Sequence, residues 1–156
     1  MLEPPIGEAI KINCDAAVKR GMAVIACVAR DAHSSILECV GSKLPSHCSM
    51  LMAESLAIKE AHLLCIKDGF DSATIENASS VMISWCLKED GVPPWDISAV
   101  IADIRSLSEG RSFSFSSVRR SANQVAHWVA KFCLSCGSWN LNVGNFPPSL
   151  LSIVRV

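Results

Sequence analysis

No apolar run in the chain reaches the roughly 18 residues that a membrane-spanning helix needs, so a membrane-embedded role is not expected. The N-terminus, Met1-Leu-Glu-Pro-Pro, lacks a basic stretch followed by an apolar one, so no secretory signal is expected there. An intracellular protein of the nucleus or cytoplasm is the expectation. Neither sign of charge is in excess: 14 Lys and Arg stand against 15 Asp and Glu, for a net charge of −1. No global basic field therefore advertises a nucleic acid, and any such partner must be held by a local patch. Phosphate-cradling Gly-rich loops of the Walker or dinucleotide type are absent, and so is the G-x-S-x-G elbow of a serine hydrolase. There is no internal repeat and no low-complexity linker. With 156 residues, half of them hydrophobic, the chain has the size of one domain and the means to build a core.

Cysteine is plentiful, with eight residues. Cys14, Cys27, Cys39, Cys65 and Cys86 sit inside apolar segments, where a thiol packs as a small hydrophobe. Reduced thiols are expected rather than disulfides. Cys133 and Cys136 form a C-x-x-C, but no second Cys or His pair completes a zinc site, and a buried helix end is the better reading.

The patterning predicts a Pro-rich lead-in (residues 1–9), a domain (10–136) and a tail (137–156) packed on it. Residues 10–15 alternate as a strand, 16–21 form a turn ending in Gly21, and 22–30 are a small-residue strand buried on both faces. A turn at 31–35 leads to a third strand at 36–40. The period then changes to that of a helix over 49–67, stopped by Asp68-Gly69. A short strand at 73–76, a helix at 79–88 and a Pro-rich breaker follow. Asp96 is expected to cap a helix running to about 108. A strand at 112–118 precedes a capping box, Ser121-Ala-Asn-Gln124, opening a last helix to about 134. The order βββαβααβα implies an α/β domain with a mixed five-stranded sheet and helices on both faces.

Asp15 ends an apolar strand where packing alone would not place an acid, although an Asp there also serves as a turn former. Glu54 lies early in the long helix, where the dipole favours a carboxylate as a simple solvated cap. His33, His47 and His62 show no ligand spacing and read as surface or core residues. Trp85, Trp95, Trp128 and Trp139 fall at apolar positions of helices or their ends, which favours core packing over base stacking.

Five segments in register carry a further signal. They are Lys11-Ile-Asn-Cys-Asp15, Gly21 through Asp31, Ala53-Glu54 through Ala61, Thr74-Ile-Glu-Asn-Ala-Ser79, and Arg120-Ser-Ala-Asn-Gln-Val-Ala-His127. The series resembles the plant ribonuclease H-like domains found at the ends of non-LTR retrotransposon reverse transcriptases and as free-standing genes. The tail segment Val143-Gly-Asn-Phe-Pro-Pro-Ser-Leu-Leu looks like that family's closing segment. The resemblance implies an RNase H-like fold and a monomeric hydrolase, an endonuclease that binds nucleic acid and cuts the RNA strand of RNA/DNA hybrids. Its cofactor would be Mg²⁺, or Mn²⁺, as a pair of ions about 4 Å apart that activate water and stabilise the leaving oxygen. Oxygen ligands suit such ions. Asp15 matches the first of the family's four acids and Glu54 the second, so both are expected as catalytic residues and metal ligands.

The other two acids are missing. Ala78 stands at the third position and His127 at the fourth. Two carboxylates offset only half the charge of an ion pair, and imidazole is a poor Mg²⁺ ligand. Glu76 and Asn77 are the oxygen donors left nearby, with Asn77 expected on the opposite face of its strand. Cleavage is therefore expected to be weakened or lost. Arg120 and Asn123 match the family's residues before the fourth acid. With Arg119 and Lys131 they are the expected nucleic-acid contacts, and Lys11, Lys19 and Arg20 flank the first hairpin. A catalytically dead binding module and a protein-interaction scaffold of the same fold are the alternatives.

Overall fold

The computed structural model describes residues 10–33, 35–44, 48–88 and 91–136, and the backbone of 139–142. The expected lead-in, His47, the side chains of Cys136 and Trp139, and the tail's closing segment lie outside the described residues. Six strands form one mixed sheet in the order β5-β4-β1-β2-β3-β6. They are β1 (Ile10–Lys19), β2 (Met22–Arg30), β3 (Ile36–Lys43), β4 (Ser72–Asn77), β5 (Ser112–Ser117) and β6 (Trp139–Asn142). The first three pair antiparallel, while β4 and β5 run parallel to β1. The mixed sheet and the expected element order are both present. The short β6, from the segment read as tail, adds a sixth strand antiparallel to β3.

The first strand is longer than the alternation suggested. The expected turn over 16–21 is confined to Arg20 and Gly21, because Lys19 pairs with Met22. Their φ angles of 52° and 76° are both left-handed, as a two-residue hairpin loop requires. Asp15 consequently lies within a strand, opposite Ala26, rather than at its end.

Helix α1 (Met50–Asp68) starts where the Ser49 side chain accepts from the Met52 N–H. It stops at Gly69, whose φ of 75° a side chain would resist. Helices α1, α2 (Ser80–Leu87) and α3 (Ser98–Ser108) share one core with the odd-numbered face of β2, including Ala23, Ile25, Cys27 and Ala29. Helix α4 (Gln124–Cys136) covers the other face, against Val24, Ala26 and Val28. Small residues in β2 are thus explained by a helix on each side. At Gly41 of β3, Cys133 Sγ occupies the space an added Cβ would take. Cys133 is a packing residue there, consistent with the helix-end reading. Burial pushes the thiols of Cys39, Cys65 and Cys86 up to about 12. His62 is core: its ring nitrogens lie 2.8 Å from Ile58 O and 3.0 Å from Ser108 Oγ, between Phe113 and Phe115.

Three local expectations are corrected. Asp96 does not cap α3, which begins after Ile97 with no side-chain cap. The segment read as a capping box is a 3-10 turn, Arg120–Asn123, held by Arg119 C=O accepting from the Ala122 and Asn123 N–H groups. Trp95 is not core but 89% exposed, as is Val92. Trp85 and Trp128 do pack against the two cores. Among the described residues no helix is long and apolar enough to cross a membrane.

Candidate functional site

The pairing of β1 with β4 ends at Asn13 and Glu76. Beyond that point, among the described residues, β1 has no strand paired on that side, and the chain leads from β4 into α2. This opens a cleft of about 800 Å³ at the C-terminal end of β4. Asp15, Glu54, Ala78, Arg120, Asn123, His127 and Lys131 all line it, together with Lys19 and an apolar wall of Val18, Met50, Leu51 and Leu134. Of the residues singled out from the sequence as site residues, Arg119 alone is not among its lining; it is exposed just before the 3-10 turn.

Strand alternation sends Asp15 to the α4 face, where its Oδ2 lies 3.0 Å from His127 Nδ1. The Asp15 side chain is 13% exposed and that of His127 51%. Glu54 comes from the second turn of α1 and enters the gap from the other face. Its Oε2 accepts from Asn77 Nδ2 at 2.8 Å. Burial, and then the nearby Asp15 charge, raise the Glu54 carboxyl to about 7 against the Asn77 hydrogen bond and the Ala16 N–H.

This shift sets a stability prediction. Between the ordinary carboxylate value and about 7, the folded state holds a proton that the unfolded chain has released. Stability therefore falls as pH rises through that window. Glu54→Gln keeps an acceptor for Asn77 and removes the penalty. It is expected to stabilise the fold by on the order of 2 kcal/mol at pH 8, with the gain vanishing near pH 4. Urea unfolding at the two pH values measures this; an equal effect at both would contradict it.

The oxygen donors near Ala78 are otherwise engaged. Asn77 donates to Glu54 and to Cys14 O, and its own Oδ1 accepts from the N–H of Ser79, the residue that caps α2, at 2.8 Å. It lies on the opposite face from Glu76, as alternation requires. Glu76 does not lean into the cleft: its Oε1 accepts from Arg30 Nη2 and Asn13 Nδ2, both at 3.2 Å. Asn13 also donates to Asn123 Oδ1 at 3.1 Å, and Asn123 donates to Cys14 O at 3.0 Å. Asn123 is 2% exposed. Its side chain ties the 3-10 turn to β1 and borders the cleft. The Arg30–Glu76–Asn13–Asn123 network was not anticipated from the sequence.

This donor set does not fit a pair of divalent ions. Asp15 and Glu54 are the carboxylates of the cleft, Ala78 offers no ligand, and His127 occupies an Asp15 oxygen. Among the described residues no three His, Cys, Asp or Glu side chains are grouped to hold a metal ion.

A mixed sheet of this order, with one acid in the middle of its first strand and another on its first long helix, defines an RNase H-like fold. The family model "Reverse transcriptase-like" matches residues 13–133. The chain belongs to the reverse transcriptase-like family. It is similar in structure to RNase H1 from the archaeon Halobacterium salinarum, with a TM-score of 0.76, 19% identity and coverage of 82% of this chain and 98% of that one. It is also similar to the N-terminal RNase H domain of a Mycobacterium tuberculosis protein, with a TM-score of 0.75, 17% identity and coverage of 84% and 96%. The LC11 RNase H1, solved in complex with an RNA/DNA hybrid, gives 0.72, 17%, 81% and 99%. At such identities the likeness is one of fold. No curated protein sequence matches the chain.

Proposed function

We propose that this chain is an RNase H-type nucleic-acid-binding domain in which metal-dependent cleavage of RNA/DNA hybrids has been weakened or lost. The cleft carries this reading. It retains acids at the first two positions of an RNase H site, replaces the other two with Ala78 and His127, and is lined by the cations Lys19, Arg120 and Lys131. The balance of charge is thereby changed from one suited to cations to one suited to phosphate. The hybrid-bound LC11 enzyme of the same fold supports the choice of ligand.

Phosphate contacts supply affinity that falls steeply with salt and carries no sequence preference. A fluorescently labelled RNA/DNA hybrid is expected to bind at 50 mM salt and to be released progressively toward 300 mM, irrespective of sequence. Absence of binding at low salt would favour the second reading, a protein-interaction scaffold. One observation speaks for that reading: Val92 and Trp95, each 89% exposed, both lie on the loop before α3.

A further inference from the structure

We infer that the cleft seats a phosphodiester of the bound strand directly on Lys19, Arg120 and Lys131, with no divalent cation between protein and phosphate. This rests on the nucleic-acid reading and specifies how its ligand is held.

Four observations converge on it. First, the three cations come from different places in the fold, the end of β1, the 3-10 turn and the second turn of α4, yet all line one cleft. Second, all three are exposed, and among the described residues none of them is in an ion pair. A cation with a carboxylate partner is already neutralised; these are not. Third, the carboxylates that would repel a phosphate are each engaged by a side chain of the protein. Asp15 is tied to His127 at 3.0 Å, and Glu54 is tied to Asn77 at 2.8 Å. Fourth, Ala78 leaves uncharged, open space where another carboxylate would project into the cleft.

His127 has a definite part in this arrangement. It lies one helical turn before Lys131, so the two side chains share a face of α4. Its Nδ1 contact engages one of the two Asp15 carboxylate oxygens. A metal-mediated and a metal-free seat make opposite demands on the acids. If a cation bridges protein and phosphate, Asp15 and Glu54 hold it and their removal weakens binding. If the phosphate sits on the cations directly, the acids oppose it and their removal strengthens binding.

The test is fluorescence anisotropy with a labelled RNA/DNA hybrid, run in EDTA and in Mg²⁺. It uses the wild type, Asp15→Asn/Glu54→Gln, and Arg120→Glu/Lys131→Glu, with circular dichroism confirming the fold of each. The expected wild-type affinity is the same in EDTA as in Mg²⁺. Asp15→Asn/Glu54→Gln is expected to bind roughly threefold or more tightly in EDTA, and Arg120→Glu/Lys131→Glu about tenfold or more weakly, with a salt slope reduced by about 2. Binding that requires Mg²⁺, or that weakens in Asp15→Asn/Glu54→Gln, overturns the metal-free seat and leaves the nucleic-acid reading standing. Binding in EDTA that ignores the charge reversal overturns the assignment to this cleft. A wild type that binds no hybrid in either condition overturns both.

Discussion

Given a labelled RNA/DNA hybrid and Mg²⁺, the wild-type chain is expected to leave the RNA strand intact, and Ala78→Asp to begin to cut it. Adding His127→Asp should raise the rate further, with a combined gain on the order of a hundredfold or more over the wild type, since the ion pair stabilises charge that develops on attacking and leaving oxygens. The reasoning is electrostatic. Two Mg²⁺ ions brought into a cleft need carboxylates to offset them, and this cleft offers Asp15 and Glu54. Ala78 directly follows β4 and lines the same cleft, so an Asp there would project toward both acids without displacing a core side chain. His127→Asp would restore a fourth oxygen donor on α4 and free the Asp15 oxygen now in contact with the imidazole. Product analysis on a denaturing gel decides the matter. Robust wild-type cleavage that disappears in Asp15→Asn would show that two acids suffice.

Glu76→Ala is expected to be the most damaging single change to stability among those that border the site. It removes the acceptor shared by Arg30 and Asn13 and leaves a guanidinium with an 18% exposed side chain without its carboxylate. Breaking a buried pair from one side costs about 3–5 kcal/mol, because the surviving charge stays desolvated. With both partners slightly exposed, about 2–4 kcal/mol is expected here. Glu76→Gln keeps an acceptor and should cost about half as much. The double variant Arg30→Met/Glu76→Leu should be less destabilised than Glu76→Ala, since no charge is left unpaired. Urea unfolding with a common slope measures all three. A Glu76→Ala cost below about 1 kcal/mol would mean that water reaches Arg30 and that the network is not a structural anchor.

The parts of the fold that alternate or repeat over many residues could be read from the sequence. The small residues of β2 announced burial on two faces, and Ser49 and Gly69 bracket α1 much as expected. Asp15, Glu54, Ala78 and His127 meet in one cleft as the family resemblance implied. What escaped has physical reasons. The strand was read as ending at Asp15 because Ala16 and Ala17 carry little hydrophobic signal; their strand state comes from pairing with Ile25 and Val24. Ser121-Ala-Asn-Gln124 has capping-box spacing, but Asn123 turns inward to Cys14 O and Asn13, and the segment tightens into a 3-10 turn. Trp95 is of an apolar type at a helix end, which says nothing about the side it faces; the chain there presents it outward. The polar network links Asn13 to residues 63 and 110 positions away. Local pattern carries no trace of such partners, although polar residues such as Asn13 and Glu76 within apolar strands signal that something must satisfy them.

The cleft offers Asp15 and Glu54 as carboxylates, with Ala78 and His127 beside them, too few oxygen ligands for two divalent ions. The most direct test counts Mn²⁺ ions bound per chain, by electron paramagnetic resonance, in the presence of a hybrid whose RNA strand has been made uncleavable. The wild type is expected to hold fewer than two, and Ala78→Asp/His127→Asp to hold two. Two tightly bound Mn²⁺ ions on the wild-type chain would contradict the account.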